Sequence, residues 1–419
     1  MKKLLPLLLL ILIGCSEPEP LNYQMLVQRE NIFYLKDTNE IYSGPVFNID
    51  GKSKGYIEKG KWNGEFEFYY SNGQLSGIGS YKDGDGSDPD ELTNIPRNGR
   101  TGLWKSYHDN GQFMREGTFK DGKRDGLWEQ YYENGQLQSE GTYIEGKEDG
   151  PYKIYHENGQ VFFESTFKDG KLDGPNNQYS ENGQIEVKGT YKDGEQIISK
   201  EFSYYENGQL KVEETYKDYI LDGPSKSYYE NGQLKVEETY NNWKKVGPRK
   251  LYYENGQLQV EETYKDGLRD SLWKGYYENG QLNSEGTFKE GKQDGPFKVY
   301  YENGQLEKEG TFKDGKQDGP NNIYYENGQL EQEGTYKDGK LDGPYKIYYN
   351  NGQVKQEGTS KDGEYDGPYK LYYDNGQITQ EGTYKDGILD GPFKSYNIIG
   401  GIKFEGTYYG GKFIESKKY

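Results

Sequence analysis

The chain has 419 residues, of which only 31% are hydrophobic, and its formal net charge is −18. Nucleic acid and an anionic membrane surface would both be repelled by that field, so neither is an expected partner. No alanine occurs, whereas tyrosine appears 44 times and glycine 59; such a composition disfavours helix and favours strands joined by tight turns.

Met1-Lys2-Lys3 is a short basic start, followed by an apolar run over residues 4 to 13. A run of that length is too short to span a bilayer, which needs roughly 20 residues, and suits a signal-peptide core. It ends in Leu12-Ile13-Gly14-Cys15, which resembles the lipobox of bacterial lipoproteins, whose cysteine is lipidated and becomes the first mature residue. Residues 1–15 are therefore expected to be a lipoprotein signal peptide with Cys15 as the lipidation site. Ser16 in the next position, by resemblance to known sorting preferences, implies the outer membrane. Losing Lys2 and Lys3 would take the charge from −18 to −20, and the lone Cys15 leaves no partner for a disulfide within the chain. Residues 16–40 read as a tether and lead-in segment, stiffened at its start by Pro18 and Pro20.

Asn-Gly-Gln then recurs thirteen times between Asn72 and Gln377, every 24 residues after a first interval of 38 and with one step of 25 at Asn207. A fixed period of this size means one small supersecondary unit stacked many times. In residues 296–319, Asn303-Gly304 sits between two alternating runs and predicts a two-residue type I′ hairpin turn. That register places Tyr301 opposite Leu306, Val299 opposite Lys308 and Phe297 opposite Gly310 on an apolar face. It places Tyr300 opposite Glu307 and Lys298 opposite Glu309 on a charged face. Leu282, Leu306 and Leu330 belong to the apolar stripe in this reading. Asp314-Gly315 and Asp318-Gly319 are expected to form a longer return loop.

The copies support the register. An aromatic residue stands opposite glycine in pairs such as Phe66/Gly79, Trp128/Gly141 and Tyr369/Gly382, where a ring would cover strand backbone. Where the glycine becomes glutamate the opposite residue is no longer aromatic, as in Ser225/Glu238 and Arg249/Glu262. Asn176/Gly189 and Asn321/Gly334 break the rule without a reason visible in the sequence. Degenerate copies at Asn48-Ile49-Asp50-Gly51 and Ile399-Gly400-Gly401 bring the count to about 15. The expected fold is all-β: an elongated single-layer antiparallel β-meander of tandem 24-residue hairpin repeats over 41–419. Its apolar face would be covered either by curling or by self-association with a second copy.

Glu309-Gly310-Thr311-Phe312-Lys313-Asp314-Gly315 resembles the MORN repeat, and Tyr-Tyr-Glu-Asn-Gly-Gln-Leu at 300–306 resembles its bacterial variant, grouped with YwqK-type antitoxin components. Residues 26 to 45 look like the lead-in of such proteins. The resemblance implies a hairpin array, and the group label implies neutralisation of a toxin. Lys308 stands where an aromatic usually precedes Glu-Gly, and Gly319-Pro320-Asn321 replaces the usual Gly-x-Gly. Both departures weaken any transfer of lipid-headgroup binding.

Among candidate sites, Tyr300, Tyr324, Tyr348 and Tyr372 form a ladder on the charged face, suited to cross-strand packing or to stacking on a ligand. Asn134, Gly135, Asn303, Gly304, Asn327 and Gly328 are structural turn residues. His108 and His156 replace tyrosine at equivalent places and form no metal or catalytic set. The return loop is interrupted at 85–98, where Asp83, Asp85, Asp88 and Asp90 are candidate Ca²⁺ ligands, although an EF-hand needs glycine where Asp88 stands; a floppy acidic excursion is the favoured reading. Adjacent acids such as Glu213-Glu214 point to opposite faces of a strand. With no nucleophile–base spacing, phosphate loop or zinc motif, the chain is expected to be non-enzymatic and to need no cofactor. The functional expectation is a protein-binding scaffold, lipid-anchored in the bacterial cell envelope. The alternatives are an antitoxin or immunity-type inhibitor and a glycan-binding surface protein.

Overall fold

The computed structural model describes residues 18–48 and 51–418. The expected signal peptide, Cys15, Ser16 and the Ile49-Asp50 pair of the first degenerate copy lie outside the described residues. Among those described there are 38 strands and a single turn of 3-10 helix at Tyr23–Met25. The strands follow one another as antiparallel hairpins, and they fall into two compact units, Met1–Ser199 and Lys200–Tyr419.

One repeat shows how the residues build the hairpin. Residues 301–305 separate the strands Lys292–Tyr300 and Leu306–Lys313, and Tyr301 and Gln305 close the turn, which leaves three loop residues rather than two. The Gly304 amide donates to the Tyr301 carbonyl at 2.9 Å, and the Tyr301 amide donates to the Gln305 carbonyl at 2.9 Å. Gly304 alone takes a positive φ, +83°, and Asn303 does not. This is a type I turn closed by a left-handed glycine, which corrects the expected type I′ turn. The physical reason is the asparagine side chain: Oδ1 of Asn303 accepts the Gln305 amide at 2.8 Å, which fixes Asn303 in the turn without a left-handed backbone. The type I′ turn lies instead at the return, where Asp314 (φ +50°) and Gly315 (φ +85°) directly join Leu306–Lys313 to Lys316–Tyr324. Asp318-Gly319 is part of that next strand, as a bulge between the pairs Phe312/Gln317 and Gly310/Asn321.

The three-residue loop shifts the register by one, and a bulge shifts it back. Phe297/Gly310, Lys298/Glu309 and Val299/Lys308 pair as the sequence predicts, but Tyr300 pairs with Leu306 rather than Glu307. Across that bulge Leu306 moves to the Lys298 face, so Leu282, Leu306 and Leu330 lie with the tyrosine ladder and not on the opposite apolar face. Phe113, which replaces the leucine in an earlier repeat, shows the packing: its ring lies 5.5 Å from Tyr107 and 5.2 Å from Tyr131. Tyr301 sits at the turn and on neither predicted stripe.

The inner face carries the aromatic–glycine pairs. Trp128 is in register with Gly117 and Gly141 on either side. An added Cβ on Gly117 would meet the Trp128 ring at 2.3 Å, and one on Gly79 would meet Trp104 at 2.2 Å. Rings of unit 1 thus lie over the glycine of the preceding hairpin. In unit 2, Tyr345 and Tyr369 lean over Gly358 and Gly382 of their own hairpins, at 2.9 Å from an added Cβ in each case. The two exceptions also find an explanation. Asn321 is 4% exposed and covers Gly310 as a ring would, its Nδ2 reaching 2.6 Å from an added Cβ. Asn176 is 7% exposed and donates to Ser165 Oγ at 3.3 Å.

Unit 1 is not a bare single layer. Lead-in residues Leu26–Arg29 and Ile32–Leu35 form their own hairpin, and Leu21–Asn22 pairs parallel to Gly44–Phe47, the one departure from antiparallel order among the described pairings. Leu26 and Phe33 pack into a cluster with Val46, Ile57, Trp62, Phe66, Tyr81 and Trp104. Fully burying side chains of this size stabilises by roughly 1.5–3 kcal/mol each. Among the described residues of unit 2 the inner face has no such cover, and its aromatics, Phe297 and Phe312 among them, are mostly half-buried.

Candidate binding faces

The outer face carries three rows at each repeat. Tyr300, Tyr324, Tyr348 and Tyr372 donate their hydroxyls to Glu285, Glu309, Glu333 and Glu357 at 3.0, 2.8, 2.7 and 2.7 Å. Burial, and then the accepting carboxylate, pushes these phenols up, to about 12 in Tyr348 and in the same direction in Tyr300 and Tyr324. The hydroxyls are therefore neutral and internally committed, and the ladder presents rings and leucines outward. Beside it the acids alternate with lysines across the strands, as in Glu285/Lys298/Glu309. Pro296 and Lys298 of this face are exposed.

The turn edges are stitched from repeat to repeat. Tyr301 donates its hydroxyl to the Tyr324 carbonyl at 2.8 Å, and Asn303 Nδ2 donates to the Glu326 carbonyl at 3.2 Å. Asn327 and Asn134 do the same toward Asn350 and Glu157, at 3.3 and 3.5 Å. Gly135 and Gly328 take φ +85° and +82°, which closes their turns. His108 and His156 fill the Tyr301 place: their Nε2 atoms lie 3.2 and 3.0 Å from the Tyr131 and Tyr179 carbonyls. On the opposite edge the Gly315 amide donates to the Gln293 carbonyl at 2.8 Å. The Asn-Gly-Gln signature is thus accounted for by hairpin closure and stacking.

The 85–98 insertion is an ordered plug, which corrects the expected floppy excursion. Ile95 is 3% exposed against the inner face, Gln28 donates to the Asp85 carbonyl at 2.7 Å, and Tyr81 donates to the Pro96 carbonyl at 2.5 Å. The four candidate Ca²⁺ ligands do not converge. Asp83 occupies a turn with φ +55°, and Asp85 accepts from the Ser87 amide at 2.9 Å. Asp88 pairs with Arg97 at 2.9 Å, and Asp90 with Arg115 at 2.6 Å and Arg100 at 3.8 Å. Among the described residues no group of three or more His, Cys, Asp or Glu side chains could hold a metal ion. Burial pushes the Asp90 carboxyl up, but the two guanidiniums outweigh it and hold it below the usual carboxylate range.

The MORN repeat variant pattern matches residues 62–83, 100–121, 124–145, 148–169, 172–193, 200–218, 221–242, 245–266, 269–290, 293–314, 317–338, 341–362 and 365–386. This chain belongs to the MORN repeat variant family. No curated protein sequence matches it. Solved structures with local likeness include the TcdB2-TccC3-Cdc42 complex, at 11% identity and a TM-score of 0.19 over 87% of this chain and 26% of that one. The Tc holotoxin pore of Photorhabdus luminescens is similar at 11% identity and a TM-score of 0.18, over 92% and 23%. The MORN chain spans about a quarter of those chains, and at such values neither likeness carries an argument.

Within the MORN array, a charge cluster of unit 2 built around the buried Glu262 was only half legible from the sequence. Arg249 pairs with Glu238 at 2.7 Å and Glu262 at 2.5 Å, Lys245 with Glu238 at 2.8 Å, and Arg269 with Glu262 at 2.7 Å. Glu262 is 1% exposed. The missing glycines at 238 and 262 signalled the place, but the convergence of five ions needed strand stacking to appear. Replacing such a network with apolar side chains is often neutral or even stabilising, whereas removing one partner leaves an uncompensated charge. Two further residues escaped notice: Tyr219 and Trp243, at return turns, which are 66% and 59% exposed. Among the described residues no helix is long and apolar enough to cross a membrane.

Proposed function

We propose that this MORN repeat protein is a non-enzymatic scaffold, lipid-anchored through Cys15 in the bacterial cell envelope, that holds another protein along its outer face. The observation that carries the reading is the outer face itself. Its tyrosine hydroxyls are satisfied internally by glutamate, so successive repeats present a ring, an apolar residue (usually leucine) and a polar pair (usually Lys–Glu) at a fixed step. Many equal contacts in a row gain avidity without any one being strong. The signal-like start and the lone Cys15 supply the address.

Two experiments test it on the full chain. Cys15→Ser should move the protein from the membrane fraction to the soluble fraction and abolish incorporation of a labelled fatty acid; retention in the membrane with no label overturns the anchor. A photo-crosslinker at Pro296, on the outer face, should give a discrete protein adduct in intact cells, whereas one at Gln317, on the inner face, should not. Equal or absent adducts from both positions overturn the scaffold.

A further inference from the structure

The two-residue return turns of the array place two consecutive residues in the left-handed region, and glycine usually takes the second place, as in Gly267, Gly291 and Gly315. At two adjacent repeats of unit 2 that place is held by Tyr219 and Trp243, each at φ +64°. A left-handed backbone is strained for any residue that carries a Cβ, and aromatic residues there are genuine outliers. Both rings nonetheless stay open to solvent. Trp243 makes an edge contact with Tyr216, with ring centroids 6.2 Å apart, yet remains 59% exposed, and Tyr219 is 66% exposed. The backbone stitch does not require the ring. Trp243 donates its amide to the Leu221 carbonyl at 3.0 Å, as Gly267 donates to Lys245 at 2.9 Å. Strain kept for an exposed ring points to a ligand.

We propose that Tyr219 and Trp243 form a stacking site for a β-linked polysaccharide, separate from the outer-face ladder. Consecutive return turns lie two strand spacings apart, about 10 Å. A β-1,4-linked pyranose chain turns the same ring face outward at every second sugar, over a similar distance, so alternate sugars meet successive aromatic rings. The surroundings fit a ligand that is apolar on its faces and polar at its rim. Exposed Asp218, Asn242 and Lys244 flank the rings and supply acceptors and donors for hydroxyls. A protein hot spot would instead want a surround that excludes water.

The test uses the full chain in detergent. Trp243 is the one exposed indole among the five tryptophans, since Trp62, Trp104 and Trp128 are 6%, 2% and 7% exposed and Trp273 is half-buried. Chitohexaose or cellohexaose should therefore shield a single emitting population from acrylamide quenching. Tyr219→Gly and Trp243→Gly should each weaken co-sedimentation with insoluble chitin or cellulose about tenfold, while raising the unfolding midpoint because the strain is released. A chain that neither is shielded by the oligosaccharides nor sediments with the polymers overturns the proposal. So does binding that survives both substitutions, or a pair whose replacement releases a protein partner and leaves sugar binding unchanged.

Discussion

Asn303 reaches across 23 residues to Glu326, its Nδ2 donating to that backbone carbonyl at 3.2 Å while its Oδ1 accepts the Gln305 amide at 2.8 Å. One side chain thus closes its own turn and ties it to the next repeat. Asn303→Ala removes both bonds and is expected to cost about 1 kcal/mol, the low end for two exposed hydrogen bonds. Asn303→Asp keeps the acceptor, loses the donor, and should cost less. Amide exchange at Gln305 separates the two: it should accelerate in the alanine variant and stay slow in the aspartate variant.

The aromatic–glycine pairs predict a graded response to one added methyl group. On Gly117 that group would lie 2.3 Å from the Trp128 ring, whereas on Gly286 it would meet nothing nearer than Phe297 Cβ at 3.4 Å. Gly117→Ala should therefore cost roughly 1–3 kcal/mol through overpacking, and Gly286→Ala well under half of that. Denaturation midpoints followed by tryptophan emission would check the ranking.

Asp90 holds the plug down. Its two partners, Arg100 and Arg115, have side chains only 3% and 5% exposed, so Asp90→Ala leaves two buried guanidiniums without their acid and should cost roughly 3–5 kcal/mol. Residues 85–98 should then become cleavable by protease under conditions where the parent chain resists. Because the Asp90 carboxyl is held low in the fold, its contribution is complete above the unfolded value of about 3.9. It disappears as pH falls through the depressed folded value. Acid should therefore release the plug before it unfolds the distal repeats.

At the other extreme, the phenols set an alkaline limit. Burial first, and then the accepting glutamate, pushes Tyr155, Tyr252, Tyr348 and Tyr396 up to about 12. Between the usual tyrosine value of 10 and that figure the folded chain binds more protons than the unfolded one, so stability falls as pH rises. The tyrosine ladder's contribution should be constant up to about pH 10 and weaken progressively toward 12. Phenolate absorbance should rise together with loss of strand circular dichroism; full ionisation with the strands intact would refute the ladder's role.

The sequence alone determined the period, the strands and most of the register. Asn-Gly and Asp-Gly pairs at fixed steps with alternating side chains allow few other arrangements, and Phe297/Gly310 or Arg249/Glu262 pair as read. The turn types were less legible. An asparagine side chain that hydrogen-bonds both locally and to the next repeat made Asn303-Gly304 a three-residue loop, and that single extra residue moved Leu306 to the opposite face.

Only the tertiary structure decided what stacking brings together. The plug at 85–98, the ion cluster around Glu262 and the commitment of the tyrosine hydroxyls to glutamates of the preceding repeat all join residues from different hairpins. Local periodicity specifies each hairpin because its contacts lie within a few residues. Contacts between hairpins depend on the bulges that set how far each side chain leans, and those follow from packing rather than from spacing.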